Sequence, residues 1–255
     1  MKQCKDLLVA AVEYPAEGHV LLKLTDDAPL GDIRAGQFVE VRVDGSTNTF
    51  LRRPISVNYV DKERNELHLL IHVVGKGTGR LYRLQQGEHL NVLYPLGNGF
   101  TAGKAGEKVL LVGGGVGIAP LLEYGRQLKE AGATPIFLLG GKSRENLLLI
   151  DKFESLGEVF VTTEDGTMGE QGFVTRHSLL SQPAFDRISV CGPKPMMMAV
   201  ARYAKANNIR CEVSLENMMA CGLGACLCCV EKTVKGNVCV CKEGPVFDVE
   251  QLNWQ

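Results

Sequence analysis

Gly113-Gly114-Gly115-Val116-Gly117-Ile118-Ala119-Pro120 is the stretch from which the fold can be read. An apolar run over 108–112 precedes it, and 120–131 follows with helical spacing and Gly132 as a stop. A glycine turn between strand and helix lets backbone N–H groups approach a pyrophosphate at the helix start, and Pro120 suits the first helical turn. The order of glycines differs from G-x-G-x-x-G, so only the physics of that fingerprint carries over. Downstream the alternation continues, with strands expected over 135–140, 159–163 and 187–190 and helices over 144–156, 175–180 and 194–207. Strands alternating with helices give a parallel sheet whose ligands bind beyond the carboxyl ends of the strands. Cys191-Gly192-Pro193 falls at such an end, as does the glycine turn. Gly141-Lys142-Ser143-Arg144 and Glu164-Asp165 follow two other strands and offer opposite charges to a ribose 2′ position. Met196-Met197-Met198 reads as packing.

Residues 1 to about 100, upstream of this unit, read as short strands between turns: 7–12, 20–24, 38–43, 55–60, 66–74 and 89–92. Phe38-Val39-Glu40-Val41-Arg42-Val43 alternates apolar and charged, as a half-buried strand does. The expectation is an antiparallel barrel with one short helix, 79–84, capped by Thr78. Two pieces of it carry chemistry. Arg53-Pro54-Ile55-Ser56 sets a guanidinium, a rigid turn and a hydroxyl within four residues, and Gly75-Lys76-Gly77-Thr78-Gly79 opens the helix with free N–H groups. Each alone is as well explained by an ordinary turn.

Downstream lies Cys221-Gly222-Leu223-Gly224-Ala225-Cys226-Leu227-Cys228-Cys229, with Cys241-Lys242-Glu243-Gly244-Pro245 after it. Cys221, Cys226, Cys229 and Cys241 make C-x4-C-x2-C…C, the spacing with which four thiolates hold a [2Fe–2S] cluster. Glycines beside them allow the backbone to wrap inorganic sulfide. Structural zinc on Cys226, Cys229, Cys239 and Cys241 would need one arm as tight as C-x-C. Disulfides suit neither an odd count of 9 Cys nor a reducing compartment. Cys228 and Cys239 are then spare thiols, and Cys4, Cys191 and Cys211 are expected to be small buried hydrophobes. The segment 210–255 is too short for a core of its own and must fold on its metal and its neighbours.

Composition narrows the partners. The 255 residues carry a net charge of −1 with no long run of one sign, which gives no footprint for nucleic acid or an anionic membrane. The apolar start at 7–12 is too short for a signal peptide, and the apolar region 109–122 is broken by four glycines and a proline. Cytoplasm is the expected location.

The order of these motifs resembles the ferredoxin-reductase type of flavoprotein. The resemblance implies that Arg53, Pro54, Ile55 and Ser56 hold FAD, although Ile55 stands where many members have an aromatic residue. It further implies that Leu70, Ile71 and His72 line the FAD and that Gly77 and Thr78 bind its pyrophosphate. It assigns Gly113, Gly114, Gly115, Gly117, Pro120, Cys191, Gly192 and Pro193 to NAD, with NAD favoured over NADP on resemblance alone. Tyr94-Pro95-Leu96-Gly97-Asn98-Gly99-Phe100 resembles the family's link between domains. The implied division is 1–102 for an FAD barrel, 103–209 for an NAD-binding α/β domain and 210–255 for the iron–sulfur module.

Over essentially the whole chain the arrangement resembles the electron-transfer subunits of dihydroorotate dehydrogenase B, most specifically in Met219–Cys226 and Cys241–Phe247. That implies a partner catalytic subunit carrying FMN, a heterotetramer of two of each, and electrons running through [2Fe–2S] and FAD to NAD+ in pyrimidine biosynthesis. No segment is left over to supply a general base or a substrate pocket, so the substrate is expected on another chain. Two alternatives stay open: a diaphorase-like subunit of another NAD(P)H-linked complex, and a zinc-stabilised binding module with a degenerate nucleotide domain.

Overall fold

The computed structural model describes residues 1–45, 49–181 and 184–254. Seven strands of the first part form one antiparallel sheet: β1 (Gln3–Ala16), β2 (His19–Thr25), β3 (Phe38–Val41), β4 (Arg53–Ser56), β5 (Tyr59–Asp61), β6 (Glu66–His72) and β7 (His89–Leu96). Their order is β4-β3-β7-β1-β2-β6-β5, which curls into a half-barrel with β4 at one edge and β5 at the other. Pro54 is tolerated because it lies on an edge strand. Alternation along β3 divides its side chains between two cores. Val39 and Val41 fill the barrel, whereas Phe38 joins Leu96 outside it among residues of the nucleotide sheet and the cysteine segment.

The second sheet runs β11-β10-β9-β8-β12-β13-β16, from β8 (Lys108–Gly114), β9 (Thr134–Gly141), β10 (Glu158–Thr163), β11 (Glu170–Gln171), β12 (Arg187–Cys191), β13 (Arg210–Ser214) and β16 (Val246–Asp248). All pairs are parallel except β13 with β16. Val109 to Val112 are buried on both faces, as a central parallel strand requires. The last two strands of this sheet therefore come from beyond 209. The small hairpin β14 (Val230–Thr233) and β15 (Gly236–Cys239) completes the strands.

Helices α2 (Ala119–Glu130) and α4 (Lys194–Ala206) match their expected positions. Three others differ. The helix expected over 79–84 is α1 (Lys76–Leu81), one turn earlier. Gly75 and not Thr78 stands at its N-cap, since Thr78 Oγ1 accepts from the Val74 and Gly75 N–H groups at 2.9 and 3.2 Å. The long helix expected over 144–156 is a 3-10 turn at Arg144–Asn146 followed by α3 (Ile150–Glu154). The region 175–180 holds only 3-10 turns. A last short helix, α5 (Val240–Glu243), carries Cys241.

The two sheets are fixed to one another by buried polar contacts. Asn58 donates to the Ala119 carbonyl at 3.0 Å, and the Val60 N–H donates to Glu123 Oε2 at 3.1 Å, which ties α2 to the barrel. The connecting chain at Thr101 is held by Arg187 and Tyr124, both donating to its carbonyl, and by Glu212, which accepts its N–H. Buried Arg187 is in turn paired with Glu212 at 2.8 Å and Glu107 at 3.0 Å. Among the described residues no helix is long and apolar enough to cross a membrane.

Candidate functional site

The expected flavin residues converge from two separate strands and a loop. A Cβ on Gly77 would lie 2.7 Å from Arg53 Nε, so the guanidinium rests directly on the glycine loop and only glycine leaves it that place. Arg53 is half-buried, as are Pro54, Ile55 and Ser56. Its Nη1 donates to the Leu51 and Arg52 carbonyls at 2.8 and 3.1 Å, which orients the fork. This cradle of one cation and a glycine turn fits an anionic pyrophosphate. Leu70 and Ile71 point instead into two different cores, at 2 % and 1 % exposure. The exposed side chain of the trio is His72.

The nucleotide motifs meet at the point where the order of the second sheet reverses, between β8 and β12. Gly113 pairs in register with Cys191. A Cβ on Gly117 would sit 2.6 Å from Gly192 Cα and 2.7 Å from the Cys191 carbonyl oxygen, so the two loops touch backbone to backbone. Gly115, at φ +56°, has open space beside it. A cavity of about 660 Å³ lies against these loops. Gly114, Gly115, Val116, Pro193 and Met196 line it, together with His19 and His72 from the barrel and Lys142 and Glu164 from the ends of β9 and β10. Its size suits an extended dinucleotide. Met196 borders the cavity, whereas Met197 is core at 2 % exposure.

Cys191 is fully buried, and burial pushes its thiol well above the ordinary range. Its Sγ lies 3.9 Å from Glu216 Oε1. Glu216 faces solvent, yet the protein mass around it raises its carboxyl above the usual value. The sequence reading passed over Glu216. Its signal was its position, two residues past the carboxyl end of β13, at the edge where such sheets place their sites.

The four expected cluster cysteines lie on the loop before β14 and on α5, with Gly222 of that loop pressed against Glu40 and Leu96 of the barrel. Cys229 and Cys241 are buried in the same apolar cluster as Phe38 and Leu96. Backbone N–H groups converge on three of the sulfurs: Leu223 donates to Cys221 Sγ at 3.3 Å, Gly224 to Cys241 Sγ at 3.1 Å, and Cys241 to Cys229 Sγ at 3.3 Å. Gly222 and Gly224 at φ +65° and +83° turn those groups inward. The Leu223 N–H is the first of the donors that lower Cys221 to about 6. Burial pushes Cys241 up to about 12, so a thiolate there needs the charge of bound metal. Among the described residues no three donor side chains converge on one ion. A two-iron cluster asks for only two thiolates per iron, and the N–H groups aimed at sulfur fit it.

Of the spare cysteines, Cys228 is exposed, and the Cys239 thiol donates to the Gly224 carbonyl at 3.7 Å. Cys211 is buried as expected, but Cys4 is exposed and reaches Asn91 Oδ1 at 3.5 Å, because β1 turns that position outward. A further residue the sequence reading missed is Glu40. It is fully buried beside Gly222, where a Cβ would lie 2.8 Å from Glu40 Cγ. Desolvation raises its carboxyl to about 7. Alternation along β3 alone placed it on a solvent face, since nothing in that pattern showed that the cysteine segment covers it.

A half-barrel, a parallel nucleotide sheet and an appended cysteine module define a ferredoxin-reductase-like electron-transfer flavoprotein. Residues 216–253 match the iron–sulfur cluster binding domain of dihydroorotate dehydrogenase B, and residues 111–202 match the oxidoreductase NAD-binding domain. The chain is 41 % identical over 222 residues to "Dihydroorotate dehydrogenase B (NAD(+)), electron transfer subunit" of Lysinibacillus sphaericus, covering 85 % of this chain and 86 % of that one. It is 42 % identical over 226 residues to the protein of the same name from Shouchella clausii, covering 85 % of each. A solved structure of the NADH-dependent reduced ferredoxin-NADP oxidoreductase superposes with a TM-score of 0.88 at 30 % identity, over 97 % of this chain and 90 % of that one. The chain belongs to the family of electron transfer subunits of NAD(+)-dependent dihydroorotate dehydrogenase B.

Proposed function

We propose that this chain links the oxidation of dihydroorotate on a partner catalytic subunit to the reduction of NAD+, in pyrimidine biosynthesis. A nicotinamide takes electrons in pairs as hydride and an iron–sulfur cluster takes them singly, while FAD does both, so the three groups together supply the relay chemistry. Arg53 and the Gly77–Thr78 turn hold the FAD pyrophosphate, with Pro54, Ile55, Ser56 and the backbone of Leu70 to His72 along the flavin. Gly113, Gly114, Gly115, Gly117 and Pro120, with Cys191, Gly192 and Pro193, hold the dinucleotide. Cys221, Cys226, Cys229 and Cys241 hold the cluster. The division remains 1–102, 103–209 and 210–255 by cofactor, although strands from the last segment extend the second sheet.

The observation that carries the reading is the set of N–H groups aimed at three cysteine sulfurs on loops packed against the flavin barrel. Exposed Met218, Leu223 and Leu227 surround those loops, at 83 %, 46 % and 65 %. An apolar rim beside the cluster suits the docking of the catalytic subunit. That partner carries FMN, and the complex is a cytoplasmic heterotetramer of two subunits of each kind.

The test is anaerobic co-purification with tagged protein, followed by dihydroorotate-dependent NAD+ reduction and, as a control, NADH-driven dye reduction. Activity with dihydroorotate is the expected result. Dye reduction without it, in a complex that retains its partner, would transfer the function to a diaphorase-like subunit. The superposition on the reduced ferredoxin-NADP oxidoreductase is the observation behind that second reading.

A further inference from the structure

His19 and His72 face each other in register across β2 and β6. Their rings stack with centroids 4.4 Å apart and planes 7° from parallel. His19 is 8 % exposed, and its Nδ1 lies 2.9 Å from the Glu17 carbonyl oxygen. A carbonyl only accepts, so Nδ1 carries the hydrogen and the ring orientation is fixed. His72 is exposed, with one ring face on His19 and, among the described residues, no hydrogen-bond partner. Strand β6 lies against the turn at Gly115–Ile118. Both imidazoles line the same cavity as Gly114, Gly115 and Val116, where the other charged side chains are Lys142 and Glu164.

We propose that His72, backed by His19, is a contact for the phosphate chain of the nicotinamide dinucleotide and takes up a proton as that anion binds. The proposal rests on the nucleotide reading of the cavity given above. In the free protein, partial desolvation and then the neighbouring His19 ring hold His72 below the ordinary imidazole value of 6.5, so its ring is neutral near pH 7. A pyrophosphate beside His72 favours the charged ring and raises its pKa in the complex. The proton is taken up between those two values. Affinity is therefore flat at high pH, rises as pH falls through the bound-state pKa, and levels off below the free-state one.

Oxidised protein carrying its FAD and cluster is titrated with NAD+ at about pH 8 and about pH 6, on either side of the imidazole range. Adenosine, which has no phosphate, serves as the control ligand. The unaltered protein is expected to bind NAD+ about tenfold more tightly at the lower pH, as one charge-assisted hydrogen bond allows, and adenosine equally at both. His72→Gln should stay at the weak, high-pH affinity throughout. His72→Lys, which keeps a cation at every pH, should bind tightly at both. FAD content should be equal in all three proteins. An unaltered protein with no pH dependence, or a His72→Gln variant that keeps it, overturns the proposal. Loss of FAD from His72→Gln also overturns it, by returning His72 to the flavin. Failure of the unaltered protein to bind NAD+ at either pH would overturn the nucleotide reading as well.

Discussion

Replacing Gly222 by Ala tests whether the cysteine loop is shaped for a cluster by its backbone. The residue sits at φ +65°, where an added Cβ costs about 1–2 kcal/mol. That Cβ would also lie 2.8 Å from Glu40 Cγ and 2.9 Å from Leu96 Cδ1. Both neighbours are buried in the barrel wall, so overpacking adds about 1–3 kcal/mol. Even ~2 kcal/mol lowers the population of the correctly closed loop about thirtyfold. The displacement falls between Cys221 and the Leu223 N–H that donates to it. Gly224→Ala is the matched control, because there the Cβ meets only the flexible Lys242 side chain, at 3.1 Å from Cδ. Iron and acid-labile sulfide per chain, with the EPR signal of the reduced protein, provide the assay. Gly222→Ala should lose most of its cluster while keeping FAD, and Gly224→Ala should lose less. Full iron content and an unchanged EPR signal in Gly222→Ala would refute the reasoning.

Two further tests concern individual side chains. Cys226→Ser should abolish the EPR signal of the reduced cluster with FAD still bound, and Cys228→Ser should leave the visible spectrum intact; the reverse pattern would mean the ligand set is wrongly chosen. Arg53→Ala removes the guanidinium packed on Gly77 and should weaken FAD binding about tenfold to a hundredfold, the worth of one hydrogen bond to a charged group. Full FAD occupancy after dialysis would remove Arg53 from the site.

The architecture was legible wherever the pattern was local. The glycine turn read correctly because strand, turn and helix are contiguous in sequence, and the cysteine-rich segment pointed to an iron–sulfur module because a cluster imposes close spacing. Local pattern failed where backbone detail or long-range contacts decide. The glycine-rich segment at 75–79 starts its helix early because Thr78 turns back to cap the preceding N–H groups from inside the first turn. Leu149 at φ +59° breaks the helix expected over 144–156, and no composition signal marks that break. Leu70 and Ile71, expected to line the flavin, have side chains in two different cores, a division that no local pattern shows. Glu40, Glu216 and Met196 became visible only when segments far apart in the chain came together.

That same convergence explains how a segment without a core of its own holds its place. Asn98, in the stretch that leaves the barrel, donates from its backbone to the Gly244 carbonyl at 2.6 Å and from its side chain to the Lys242 and Glu243 carbonyls at 3.1 and 3.0 Å. Gly97 allows the approach, since a Cβ there would lie 2.6 Å from Pro245 Cδ. The stretch that reads as an interdomain link is therefore also the bracket for Cys241. On the other side of the bracket, Phe247 of β16 completes the second sheet and shares a core with Cys229 and Cys241. The cysteine loops thus rest on the outer face of β3, and β4 with Arg53 to Ser56 is hydrogen-bonded to the same strand. One strand separates the residues assigned to the flavin from those assigned to the cluster. That adjacency follows from the alternation of β3, which gives Val39 and Val41 to the barrel and Phe38 and Glu40 to the cysteine segment.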